Sequence, residues 1–144
     1  MKAMQKKILR IQRLRALEES KLNSLAVELA AIEATLRRQT AQLARLNVQI
    51  EATSTPDSDH SIDQHAQTMI WIEHLQSHAD NVERAISETS LQQNELLNRA
   101  IEQKTKVRGW ESLIDRVSSE ADSEFQKSEA LVADDRYLND HSPR

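Results

Sequence analysis

The chain has 144 residues, a net charge of −4, one Gly, two Pro, no Cys and only four aromatic residues. So little turn chemistry and so few bulky side chains exclude a thick globular core. The missing Cys excludes disulfides, thiol catalysis and Cys-based zinc sites. Charged residues at 29% against 38% hydrophobic ones, with Ala, Leu, Glu, Gln, Arg and Ser dominant, point instead to long helices that share a narrow seam.

The first predicted element is a helix over about residues 2–52. Its start, "MKAMQKKILRIQRLR", carries Lys2, Lys6, Lys7, Arg10, Arg13 and Arg15 and no acid. It lacks the apolar stretch and small-residue cleavage site of a secretory signal. A mitochondrial presequence has a similar look, but the helical pattern runs well past where such a peptide ends. In steps of seven, one series reads Ile8, Arg15, Leu22, Leu29, Leu36, Leu43, Ile50. The second, offset by three, reads Met4, Ile11, Glu18, Leu25, Ile32, Gln39, Leu46. Eleven of these fourteen positions are apolar, which identifies a coiled-coil seam rather than a single amphipathic surface helix. Arg15 and Glu18 interrupt it, while Leu14 and Leu17 carry apolar character onto a neighbouring stripe.

The pattern stops at "ATSTPDSDHSID", a loop predicted over about 53–61. Pro56 removes a donor and pushes Thr55 out of helical geometry. Ser61 or Asp63 is placed to cap the helix that follows. That helix is predicted over about 62–138, with a frayed end over 139–144. Its seam reads Ile72, Ala79, Ile86, Gln93, Ala100, Val107, Ile114, Ala121, with Leu75, Val82, Thr89, Leu96, Gln103, Trp110, Val117 and Glu124 alongside.

Two such helices and one short loop predict an all-α fold, a single antiparallel coiled-coil hairpin with the second helix longer than the first. With the turn centred near residue 57, Ile50 faces the start of the second helix and Met4 falls opposite Trp110. The second helix then projects alone for about 25 residues, and a lone helix of that length is marginal in water, so it implies a partner. Gly109 costs about 1 kcal/mol relative to Ala inside a helix. Beside Trp110, it is expected to let the incoming N-terminus or a partner's backbone approach the indole.

Charge is uneven along the chain: segments 1–52, 53–103 and 104–144 carry +5, −7 and −2. Such asymmetry marks a docking end. Catalysis has little support, because Asp134 and Asp135 lie on a polar helix surface with no pocket to perturb them. His74 and His78 share a helix face but have no evident third ligand, so no metal and no cofactor is expected. The basic N-terminus suits a solvated face or an acidic protein partner. Contact with lipid or nucleic acid is a further reading, though no aromatic residues are interleaved for base stacking. Trp71, in "MIWI", sits beside the seam rather than in it, as a shielded aromatic or a partner anchor.

At "KVRGWESLIDR" the sequence resembles the flagellar FliJ family, small helical hairpins of the type III export apparatus, with their virulence-secretion counterparts. The resemblance takes in "ILRIQRLRALEESKLNSLAVELA", the central polar loop, the W-x-x-L-x-D-R pattern at Trp110, Leu113, Asp115 and Arg116, and the C-terminal "SEFQKSEALVADDRYLND". It covers nearly the whole chain. It implies a cytoplasmic, non-enzymatic stalk, peripherally associated with the inner membrane and monomeric by itself. Its partners would be a hexameric export ATPase, a membrane export-gate protein and export chaperones, with no nucleic acid and no membrane insertion. The ATPase-binding residues implied are Arg10, Arg13, Arg15, Gly109, Trp110, Leu113, Asp115, Arg116 and Phe125. The gate-binding residues implied are Gln39, Leu43, Leu46, Ile50, Trp71, Leu75, His78 and Val82. Family members often carry aromatics where this chain has Leu46 and Ile50, and several of these positions belong to the seam. The alternatives are a virulence-secretion stalk of the same architecture and a structural coiled-coil rod.

Overall fold

A computed structural model describes residues 2–54 and 61–140. It contains two helices packed against each other as an all-α hairpin, α1 (Lys2–Ser54) and α2 (Ile62–Asp140), with no strand among the described residues. The expected stop at Thr55–Pro56, and the chain end from residue 141, lie outside the described residues. At the start of α2 the choice between two caps is resolved. The Gln64 backbone N–H donates to Ser61 Oγ at 3.3 Å, and the Ser61 N–H donates to Gln64 Oε1 at 3.2 Å. This is a reciprocal capping box, and it satisfies two donors that a helix start leaves open. Asp63 lies in the first turn instead, where its charge complements the helix dipole.

The chain divides into two compact units, one formed by Met1–Asn23 with Ile101–Arg144, the other by Ser24–Ala100. Within Ser24–Ala100 the core is Leu46, Leu75, Ala79 and Val82, with Leu43, Ile50 and Ile86 packed against it. Within the other unit the buried apolar residues are Ile11, Val107 and Val117. In both units the residues shielded from solvent are the heptad positions. Every seam residue of α1 from Met4 to Ile50 is buried or half-buried, and so is every seam residue of α2 from Ile72 to Ala121; Glu124 alone is exposed. Thr89 sits at a seam position with 7% exposure, and its hydroxyl donates to the Ala85 carbonyl at 2.8 Å. That bond meets its polar requirement inside its own helix, so burial does not leave it unsatisfied.

The register differs from the expected one. A turn centred near residue 57 puts Ile72 opposite Gln42, yet Gln42 Nε2 lies 3.1 Å from His78 Nε2. It puts Leu96 opposite Glu18, yet Glu18 meets Gln103. The displacement is about one heptad, which keeps seam positions facing seam positions and is therefore invisible to periodicity. Polar chemistry distinguishes the two registers. The expected one buries Glu18 against Leu96 and sets Arg15 near Arg99, whereas the observed one gives both side chains a partner. The slack is taken up where α2 begins, because residues 61–67 are all exposed and the first half-buried residue is Thr68.

Leu75, 4% exposed, anchors the Ser24–Ala100 core. Leu75→Ala is expected to cost about 2–5 kcal/mol in urea denaturation. Ile70→Ala, at a residue 67% exposed, should change stability by no more than about 0.5 kcal/mol.

Candidate partner-binding surfaces

The residues implied to bind an ATPase all fall in the unit that holds both chain ends. Arg15 occupies a seam position and its Nη2 donates to Glu111 Oε1 at 2.9 Å, with Glu19 at 4.0 Å on its other side. Its Nε is buried and has no protein partner. Arg15 is therefore a structural cation that ties α1 to α2. Arg10 and Arg13, by contrast, are exposed. Trp110 and Leu113 are half-buried, and Gly109, Asp115, Arg116 and Phe125 are exposed.

One heptad before Trp110, Gln103 is 7% exposed at its seam position. Its amide donates to the Glu18 backbone carbonyl at 2.8 Å and also to a Glu18 carboxylate oxygen. Lys21 Nζ reaches the other carboxylate oxygen at 3.4 Å. The Gln103 hydrogen bond holds the Glu18 carboxyl below its ordinary value near 4.5, with the charges of Lys21 and Lys106 acting in the same direction against partial desolvation. The residue stood out in the sequence as an interruption of the seam. Its partner did not, because Gln103 reads as one more polar seam residue until the register is known.

Two expectations about this end are corrected. Met4 lies not opposite Trp110 but beside Ala121 and Phe125, in a recess of about 430 Å³ that Gln5, Ile8, Asp122, Glu124 and Ser128 also line. Ala121 is the last shielded residue of α2 and Phe125 is 45% exposed, so α1 accompanies α2 to about residues 121–125 and the segment beyond is roughly four to five turns long rather than about 25 residues. The register shift accounts for part of this, since one heptad alone carries Met4 seven residues further along α2. At Gly109 a Cβ would meet nothing within 4 Å among the described residues, so the incoming N-terminus does not use the space it leaves.

The residues implied to bind an export gate fall in Ser24–Ala100, and most are not available to a partner. Leu46, Leu75 and Val82 are core residues and Leu43 and Ile50 pack on them. Gln39 is half-buried with its Oε1 shielded from solvent. Only Trp71, 52% exposed, and His78 face outward, with Met69 and Ile70 adding exposed apolar surface beside the indole. The Trp71 ring lies 5.6 Å from that of His74. His74 and His78 thus turn to different neighbours, and no group of three or more metal-ligating side chains occurs among the described residues. Sequence reasoning passed over Met69 and Ile70, since apolar residues next to a seam read as seam margin.

Fold and surfaces together define a two-helix coiled-coil hairpin with candidate docking sites in each of its two units. No family model, curated protein or solved structure matches the chain.

Two measurements follow from this geometry. Gly109 has an ordinary helical φ and open space around it. Gly109→Ala should raise the unfolding free energy by about 1 kcal/mol in urea titrations. For Glu18, a folded pKa below the unfolded one adds stability that is complete above the unfolded value and is lost as pH falls through the folded one. Thermal melts of the wild type should therefore exceed those of Glu18→Gln at pH 7, and the gap should close in acid; a gap independent of pH would remove the charge from this account.

Proposed function

We propose that this chain is a non-enzymatic stalk of a type III protein export apparatus of the flagellar kind, acting in the cytoplasm at the inner membrane. In this reading the end that holds both termini binds a hexameric export ATPase and promotes its assembly and turnover. The surface around Trp71 contacts the membrane export gate, and export chaperones are further partners. Among the described residues no helix is long and apolar enough to cross a membrane, which accords with a peripheral association.

The observation that carries the proposal is the character of the end where α2 runs past α1. Exposed Arg10 and Arg13 lie on α1, the half-buried Trp110 and Leu113 lie on α2, and α2 continues with Phe125, Leu131 and Val132 about half exposed or more. A helix whose apolar side chains are only partly covered, as Phe125 is beside Met4 and Ile8, or left open, as Leu131 and Val132 are, gains burial when it enters another protein. The seam also supplies stiffness, since neither helix contains an internal Pro and the only Gly is an ordinary helical residue. Of the implied ATPase-binding residues, Arg15 acts chiefly through the fold. Of the implied gate-binding residues, Trp71 and His78 are the ones offered to a partner.

ATP turnover and ring assembly by the export ATPase of the same organism test this directly, with and without the chain. Stimulation is expected, and it should fall several-fold for Trp110→Ala and for truncation after Ser128, but not for Trp71→Ala. Circular dichroism of Trp110→Ala separates loss of binding from loss of fold, because the indole is half-buried. No stimulation and no co-sedimentation would leave a structural coiled coil as the better account.

A further inference from the structure

The heptad series of α2 does not stop where α1 does. Beyond Val117 and Glu124 it reaches Leu131 and Leu138, with Val132 alongside, and these three are 66%, 65% and 51% exposed. The surrounding side chains are mainly acidic: Glu120, Asp122, Glu124, Glu129, Asp134 and Asp135 against Lys127 and Arg136. Among the described residues none of these carboxylates forms a salt bridge. The end of α2 is therefore a seam half with acidic margins and no partner helix.

A complementary surface lies on the first turns of α1. Lys2, Lys6, Leu9, Arg13 and Leu17 follow one another at spacings of three and four, which places them on one face of the helix. That face is opposite the seam series Met4, Ile8, Ile11, Arg15, and all five residues are exposed. Leu9 and Leu17 are 53% and 55% exposed, an apolar pair about two turns apart, as Leu131 and Leu138 are. Lys2, Lys6 and Arg13 form no salt bridge among the described residues. Each surface has what the other lacks, a leucine pair framed by charge of the opposite sign. They cannot meet within one molecule, because α2 is a continuous helix that packs on the other side of α1.

We propose that the chain pairs with a second copy of itself, the acidic end of α2 from each copy lying along the basic outer face of α1 in the other. The arrangement is two-fold and self-complementary, so it closes at two copies. Opposite charges orient the encounter and weaken with salt, while the buried leucines hold the pair. This departs from the monomer implied by the family resemblance. It also concerns the purified chain alone, so its test does not depend on any export ATPase.

Sedimentation velocity of the full chain at increasing concentration reads the proposal out. The mass should rise from 16.5 kDa to twice that value, at higher concentrations as salt is added. The double substitution Leu131→Asp and Leu138→Asp should hold the chain at one copy, with helicity by circular dichroism retained because both sites are exposed. Lys6→Glu with Arg13→Glu should weaken pairing about a hundredfold, the scale of the four exposed charge pairs that two residues make in a two-fold pair. Adding Asp134→Lys and Asp135→Lys to that variant should restore it. The proposal is overturned by one-copy behaviour at every concentration, by pairing indifferent to the leucine and charge changes, by failure of the charge exchange to restore it, or by growth beyond two copies.

Discussion

The contact on which the rest depends is that between Glu18 and Gln103. Apolar seams tell two helices to pack but say little about where, since a slide of seven residues exchanges one leucine for another at small cost. A carboxylate in that seam makes the choice, because Glu18 opposite a leucine would lose water and gain nothing. Arg15 with Glu111 repeats the constraint one turn away. The two pairs contribute less through their own strength than through the cost of every register that leaves them unmatched. Once they are fixed, so are the neighbours of Trp110, the recess beside Phe125, and the length of α2 that is left uncovered.

That register also separates structural residues from those open to partners. Arg15, Glu18 and Gln103 look like binding chemistry in a linear sequence, being charged or polar amid leucines. In the fold Glu18 and Gln103 are spent on each other and Arg15 on Glu111. Arg10, Arg13 and Trp71, singled out in the sequence as well, and the leucines beyond Ser128, which look ordinary there, are the ones offered to solvent. The proposed export role and the proposed self-pairing both draw on the same end of α1 and α2, so a ring and a second copy would compete for it.

How much of this was legible beforehand depends on the length scale of the signal. Heptad spacing identified both helices and all but one of the seam residues, because burial along a helix follows side-chain period alone. Capping was half legible: Ser61 and Asp63 were equivalent until the Gln64 side chain showed which of them closes the box. Register was not legible, as it rests on contacts between residues 36 to 96 positions apart that repeat no local pattern. The gate surface failed for a related reason. A family's contact positions were carried onto Leu46, Leu75 and Val82, whose spacing already assigned them to the interior.

No side chain among the described residues is completely enclosed; even the best-shielded, Val117, keeps 3% of its surface. A core one layer deep releases modest apolar area when it opens, and the heat capacity of unfolding scales with that area. The stability curve of such a molecule is shallow with temperature. Cooling then weakens the fold only slightly, and the hairpin keeps nearly the same stability from the cold to the upper physiological range.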